Sequence, residues 1–272
     1  MNPPAEGSAV PAAGWQPLTF GGVAAFAAAR VGRLFVVELL TAVLVSGAVV
    51  WFLHRAYSPV IFQALDQMPE TARIFRGRLE GVPRALLSES KFLAVAVTPE
   101  ADQEIGQGAD LQIQFRQSDF CASSVFRSDW GLEFPYGTGT SLELGRSQLE
   151  PWWGAWQPVV WAVIGLALIP ALFLTWALVA AVYMVPALAI SWFADRHLSW
   201  TGAWRLCSAA LMPGAFLVGA AIISYGWRAL DLLGLSLFFM AHLIMGWVYL
   251  VGGVYATPPL FSEATKRNPF SA

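Results

Sequence analysis

The stretch that decides the fold is QPVVWAVIGLALIPALFLTWALVAAVYMVPALAISWF, residues 157–193. A helix of this length is about 55 Å long at 1.5 Å per residue, whereas a hydrocarbon core of roughly 30 Å needs only about 20 residues. Two short spans would require a polar turn between them, and the stretch contains none. We therefore expect one tilted transmembrane helix to about Tyr183, kinked near Pro170, with a short interfacial segment starting at Pro186.

Three further apolar runs, at residues 34–53, 206–224 and 232–255, are long enough to cross a bilayer. The last two are joined by the short loop YGWRALD and predict a helical hairpin. The run 34–53 begins late, is too long for a cleaved signal peptide and is followed by no small-x-small cleavage site, so we predict an uncleaved signal anchor. The chain is 57% hydrophobic and only 12% charged, whereas soluble domains carry about 25% charged residues.

The basic residues that flank the spans predict their orientation. They are Arg30 and Arg33 before the first span, Arg196 and Arg205 between the second and third, and Lys266 and Arg267 after the fourth. Four spans put these three flanks on one side of the membrane, and the positive-inside rule makes that side the cytoplasm. Five spans would separate the flanks. We expect a protein of the cytoplasmic membrane with both termini in the cytoplasm.

Residues 54–156 have a different composition and predict a small extracytoplasmic domain. Ser58 and Pro59 are typical of a helix start, so a short amphipathic helix is expected there. The sequences DLQIQF, GLEF and SLELG then alternate apolar and polar residues, as half-buried strands do, while KFLAVAV at 91–97 predicts a central buried strand. The predicted domain is mostly antiparallel β structure.

The predicted fold class is thus a membrane α-helical bundle of four transmembrane helices with this small β domain inserted. The predicted order is a cytoplasmic segment 1–33, transmembrane helix 34–53, extracytoplasmic α+β domain 54–156, long transmembrane helix 157–193 with its interfacial end, transmembrane helices 206–224 and 232–255, and cytoplasmic tail 256–272.

Known catalytic motifs are absent from the sequence, and no cofactor or metal site is predicted. The acids Glu100, Asp102, Glu104 and Asp110 lack the spacing of a calcium loop and predict a solvated acidic loop. A formal net charge of -2 gives no reason to expect nucleic-acid binding. Cys121 and Cys207 are expected to be free thiols.

His242 lies near the middle of the fourth predicted span, where ionisable residues are costly and tend to face a bundle interior. With Thr175 and Glu38 it is the candidate for an intramembrane polar site, either a proton relay or ligand contact, or a neutral histidine hydrogen-bonded to a neighbouring helix. Small residues predict close helix packing within the chain, or between protomers of a homo-oligomer. These residues are Ala215, Gly219, Gly246, Gly252 and Gly253.

Tryptophans near the span ends predict two aromatic belts at the membrane interfaces. The expected anchors are Trp51, Trp152, Trp153, Trp156 and Trp227 at the outer interface and Trp192, Trp200 and Trp204 at the inner one. The cluster LEPWWGAW, residues 149–156, is expected to be the hinge where the chain re-enters the bilayer, with Pro151 breaking the preceding segment. A ligand-stacking site at this cluster is the alternative.

The segments LSWTGAWRLCSAALMPGAFLVG at 198–219 and YLVGGVYAT at 249–257 resemble a bacterial family of uncharacterised multi-pass membrane proteins. Trp200, Trp204, Arg205 and Pro213 occupy the matching positions. The resemblance implies a signal anchor, a small extracytoplasmic β domain and a Yip-like membrane region, and it implies no activity.

These features are compatible with three functions. The first is a non-enzymatic membrane protein that presents its β domain as a scaffold or accessory subunit of an envelope complex, in contact with the lipid bilayer and with membrane or envelope proteins. The second is a transporter or permease accessory component that uses the polar site around His242. The third is a lipid-acting enzyme, for which the sequence offers no nucleophile and base pair.

The orientation can be tested with a reporter fused after Ala272. We expect the reporter to be cytoplasmic, because four spans return the chain to the side on which it began. A reporter on the outer side would contradict this and would mean that residues 157–193 cross the membrane twice.

Overall fold

The computed structural model describes residues 16–99, 108–125 and 127–260, with only the backbone for 127–130. Within these ranges the chain forms five helices and eight strands. The helices are α1 Phe20–Phe26, α2 Val31–Asp66, α3 Arg146–Phe193, α4 Trp200–Gly226 and α5 Leu232–Tyr255. All but α1 are long and apolar enough to cross a membrane.

The described chain divides into two compact units. The first unit contains residues 16–48 and 166–260, and the second contains residues 49–165. The core of the first unit is built from α1, α4 and α5, with α2 and α3 adding side chains. Val23 and Phe26 of α1, Leu206 of α4, and Leu250 and Val254 of α5 are completely buried there.

The second unit contains two sheets. Its strands are β1 Arg73–Phe75, β2 Arg78–Glu80, β3 Ala85–Glu89, β4 Leu93–Val97, β5 Leu111–Phe115, β6 Asp119–Ser124, β7 Arg127–Pro135 and β8 Ser141–Glu143. The small sheet has the order β2-β1-β8 and the large sheet the order β3-β4-β5-β6-β7. Every strand pair is antiparallel except β4 with β5, which is parallel, so the prediction of mostly antiparallel structure is confirmed.

The strand β4 is buried at all five positions and is hydrogen-bonded on both sides, as its uninterrupted apolar sequence predicts. Its Leu93, Val95 and Val97 form the core of the second unit with the last turns of α2, including Val60 and Ala64. This core therefore depends on a helix and a sheet that are contributed by distant parts of the chain.

The apolar face of β5 packs against the core of the second unit, as its alternation predicts, but its polar face is buried as well. Gln112 and Gln114 are buried, while the alternating apolar residues Leu111, Ile113 and Phe115 are half-buried. The glutamines pair with Ala94 and Ala96 of β4, and these small side chains leave room for a long amide to lie along the sheet. Gln114 Nε2 donates to Gln112 Oε1 at 3.4 Å, so the two buried amides are hydrogen-bonded to each other.

The predicted helix start at Ser58 and Pro59 was also wrong, because α2 continues without interruption from Val31 to Asp66. Proline is tolerated here inside the helix, although its ring removes one backbone hydrogen bond. The buried positions Ala56, Val60 and Ala64 follow one another at intervals of four residues. A single helix therefore keeps one face against the core across the proline.

The helix α3 differs from the prediction at both ends. It begins at Arg146 rather than at residue 157, and it continues through Pro186 to Phe193, so no separate segment starts at that proline. The cluster LEPWWGAW is accordingly helical, and Pro151 does not break the chain. Glu70 explains the early start, because its carboxylate accepts hydrogen bonds from the Ser147 backbone N–H at 3.2 Å and from its hydroxyl at 2.7 Å. An acceptor from another segment thus caps a helix that has glycine at the preceding position.

The hairpin of β1 and β2 was not predicted. Its two-residue turn consists of Arg76 and Gly77, with φ angles of 50° and 74°. Both positive angles fit a type I′ turn, for which Asn-Gly or Asp-Gly is the strong sequence signal and Arg-Gly is a weak one.

The glycine after β2 provides a test of the second unit. Gly81 has φ +77°, and a Cβ atom there would lie 2.0 Å from the Thr71 backbone oxygen. We expect Gly81→Ala to lower the free energy of unfolding by about 1–3 kcal/mol because it combines backbone strain with a collision. The measurement is denaturant unfolding of the detergent-purified chain. Gly139→Ala is the matched control, since a Cβ there meets nothing within 4 Å; equal stability of the two variants would contradict the prediction.

Candidate functional site

Three segments meet at one end of the first unit, which we call the flank end: residues 16–33, 194–205 and 256–260. Arg196 forms an isolated β-bridge with Pro259. Its Nη1 also donates to the Thr257 carbonyl at 2.7 Å. The connection between α3 and α4 and the chain after α5 are therefore fixed together.

Arg205 fixes the third segment of the flank end. Its Nη2 donates to the Ala27 carbonyl at 2.7 Å and its Nη1 to the Ala29 carbonyl at 2.8 Å. Ala27 is the C-cap of α1, where backbone carbonyls lack helical partners and a positive charge is favoured by the helix dipole. The cation of α4 thus acts as the cap of α1.

Residues 1–33 were predicted only as a cytoplasmic segment, but the described residues 16–30 pack as part of the bundle. The Tyr249 hydroxyl donates to the Leu18 carbonyl at 2.9 Å, and the Tyr249 ring meets the Phe20 ring edge-on at a centroid distance of 5.3 Å. Gly252 and Gly253 make this docking feasible, because added Cβ atoms would lie 2.5 Å from the Phe20 ring and 2.8 Å from a Val23 methyl group. Two of the predicted packing glycines therefore receive α1.

An open apolar pocket of about 270 Å³ lies beside the flank end. Its lining residues come from the start of α2, the later part of α3 and the first turns of α4: Val31, Met184, Trp200, Thr201, Trp204 and Arg205. Trp204 is held in place by its indole N–H, which donates to the Ala177 carbonyl of α3 at 3.3 Å. Trp200 is 68% exposed.

The three residues of the predicted intramembrane polar site have different neighbours. Glu38 is buried on α2 and interacts with Ser208 of α4, although the contact falls outside strict hydrogen-bond geometry. Thr175 is exposed on α3, and its hydroxyl donates back to the Ala171 carbonyl at 2.8 Å.

His242 interacts within its own helix. Its Nδ1 lies against the Phe239 carbonyl, and its ring lies 4.7 Å from the Phe239 ring, centroid to centroid. The described hydrogen bond and ring contact of the His242 side chain are thus local to α5, and neither involves Thr175 or Glu38.

A close backbone contact between α4 and α5 occurs at a glycine that was not among the predicted packing residues. A Cβ on Gly214 of α4 would lie 2.7 Å from the His242 backbone oxygen of α5. Its neighbour Ala215 is buried in the same core. An added Cβ on Gly246 would lie 3.3 Å from a Leu211 methyl group, and one on Gly219 would lie 3.7 Å from a Val45 methyl group. The Pro-Gly pair in the sequence LMPGA predicts a local break, but α4 continues through it without interruption. The position of its glycine against α5 depends on tertiary packing.

The predicted tryptophan anchors fall into two groups. Five of them are at least half exposed: Trp152, Trp156, Trp192, Trp200 and Trp227. Trp153 instead packs edge-on against Trp161 at 6.0 Å, and Trp51 lies under the Arg55 guanidinium, 5.8 Å from ring centroid to Cζ. Their placement at membrane interfaces stays a prediction.

The described residues include two cysteines, Cys121 in the second unit and Cys207 in the first. Cys121 and Cys207 are both buried free thiols, as predicted. Burial raises the pKa of the Cys121 thiol, which keeps it protonated and unreactive near neutral pH. Glu100, Asp102 and Glu104 lie outside the described residues, and no metal-binding group of three or more His, Cys, Asp or Glu occurs within the described ranges.

Comparison of the chain with protein-family models, with curated proteins and with solved structures found no match. The resemblance drawn from residues 198–219 and 249–257 therefore stays a prediction. Any functional conclusion for this chain depends on its own geometry.

The contact between α4 and α5 can be tested by adding one methyl group. We expect Gly214→Ala to lower the stability of the detergent-purified chain by about 1–3 kcal/mol, because the methyl group would collide with backbone rather than with a movable side chain. Gly47→Ala on α2 is the control: nothing lies within 4 Å of a Cβ there, so a higher helix propensity should leave it as stable or up to about 1 kcal/mol more stable. Thermal unfolding measures both, and an unchanged midpoint for Gly214→Ala would refute the contact.

Proposed function

We propose that the protein is a non-enzymatic integral membrane protein that serves as a scaffold or accessory subunit of an envelope complex. The observation that carries the proposal is the exposure of α3. Only 6% of the most apolar 18-residue stretch of α3 is buried within the chain, whereas 67% of the corresponding stretch of α4 is buried. A helix with so much exposed apolar surface requires lipid or another protein around it, since water would make that exposure costly.

The flank end supports the proposed topology. Four alternating helices bring the chain before α2, the α3–α4 connection and the chain after α5 to the same side, and these are the segments that Arg196 and Arg205 hold together. The described flanks contain Arg30 and Arg33 as well, so the positive-inside rule favours a cytoplasmic flank end. The β-rich residues of the second unit would then be extracytoplasmic, in the inner membrane of a bacterium.

The transporter alternative has less support. It requires a shared polar pathway, and Glu38, Thr175 and His242 each have separate described neighbours. The core between α1, α4 and α5 is filled by small and apolar side chains such as Ala210 and Met212, which are completely buried. A packed interior of this kind suits a rigid anchor better than a pathway.

The scaffold function can be tested by photo-crosslinking on α3 in intact cells. A photoreactive residue at Leu174, which is 62% exposed, should form covalent adducts with a protein partner. The same residue at Leu172, which packs against the core of the first unit, is the matched control and should form none. Adducts with lipid only at Leu174 would overturn the scaffold proposal.

A further inference from the structure

The pocket beside the flank end has walls and a rim of different chemistry. Its lining surface is almost wholly apolar, although Thr201 and Arg205 are among the lining residues. At about 270 Å³ it is slightly smaller than the roughly 300–1,000 Å³ of pockets that enclose a whole drug-sized ligand. A pocket of this size and lining suits part of an amphiphile, in particular one hydrocarbon chain.

The flank end around the pocket is positively charged. Its described residues include four arginines, Arg30, Arg33, Arg196 and Arg205, and a single acid, Asp195. Arg205 is directed at the carbonyls of Ala27 and Ala29, which leave its charge without a carboxylate partner among the described ion pairs. Arg30 is exposed and directly precedes Val31, which lines the pocket.

We propose that this pocket binds one acyl chain of an anionic phospholipid, whose phosphate is held by the arginines of the flank end. The proposal rests on the membrane insertion proposed above. The apolar wall contacts the acyl chain of the lipid, and the arginines around the pocket favour a negatively charged headgroup. A small soluble anion would leave the apolar wall unoccupied, and a zwitterionic lipid would gain little from the surplus positive charge.

The exposed indole of Trp200 fits this arrangement. It is 68% exposed and lines the pocket together with Trp204, whose ring is fixed by its bond to Ala177. Indoles favour the headgroup level of a bilayer, where an apolar face and a polar edge are both satisfied. A bound acyl chain would therefore contact both the fixed indole of Trp204 and the exposed indole of Trp200.

Native mass spectrometry of the full chain in mild detergent tests the proposal. The probes are dioleoylphosphatidylglycerol and dioleoylphosphatidylcholine at equal concentration. We expect the native chain to retain the phosphatidylglycerol at least about fivefold more than the phosphatidylcholine, which is about 1 kcal/mol of preference.

Two variants fill the pocket and one matched control does not. Thr201→Phe and Val31→Phe place a ring among the lining residues and should abolish the retained phosphatidylglycerol. Thr175→Phe adds the same ring to an exposed position of α3 outside the pocket and should retain as much as the native chain. The proposal would be overturned if both filled variants retained as much phosphatidylglycerol as the native chain does. It would also be overturned if the native chain retained the two lipids equally.

The headgroup is tested at Arg30, because replacement of Arg205 would also remove the cap of α1. Arg30→Gln should lower the preference for phosphatidylglycerol at least twofold, whereas Arg228→Gln, in the loop between α4 and α5, should leave it unchanged. An unchanged preference in Arg30→Gln would contradict the role of the flank end. These outcomes are independent of the Leu174 crosslink, so failure of the lipid site and failure of the scaffold function can be told apart.

Discussion

Backbone carbonyls at segment ends need partners, and in the first unit side chains from other segments provide them. Arg205 donates to Ala27 and Ala29, Arg196 to Thr257, and Tyr249 to Leu18. In an apolar environment an unpaired carbonyl costs several kcal/mol. These bonds decide which segments meet at the flank end, and they therefore decide where the pocket lies and which charges surround it.

Close approach of the helices depends on glycines at a few contacts. Gly214 brings α4 against the backbone of α5, while Gly252 and Gly253 make room for Phe20 and Val23 of α1. These close contacts join α1, α4 and α5. The most apolar stretch of α3 is left almost entirely exposed. The same packing that fills the interior with Ala210 and Met212 therefore directs any interaction to the outside of the bundle, towards lipid or a second protein.

The apolar runs were sufficient to predict four long helices, because the number of consecutive apolar residues is a local property. The bounds of α5 were predicted correctly at 232–255, whereas the boundaries within α2 and α3 were predicted poorly. Ser58 with Pro59 and the Pro151 cluster are typical helix boundaries, yet α2 and α3 pass through them, since a helix end depends on what surrounds it. Glu70 is 77 residues from the Ser147 that it caps, and no pattern near residue 146 could reveal that partner. The candidate polar site also depended on tertiary neighbours that local sequence does not reveal. Glu38, Thr175 and His242 are all polar, but their described contacts are made with different partners.

The sequence by itself determined the number of long apolar helices, the presence of a mostly antiparallel β region and the distribution of basic residues, because each of these follows from composition and periodicity along the chain. Only the tertiary structure decided that Arg205 caps α1, that Gly214 rather than Gly219 brings α4 against the backbone of another helix, and that Gln112 and Gln114 are buried. Each of these depends on which distant segment supplies a carbonyl, a backbone surface or a small neighbour. That information resides in the packing of whole helices and sheets and has no counterpart in local sequence.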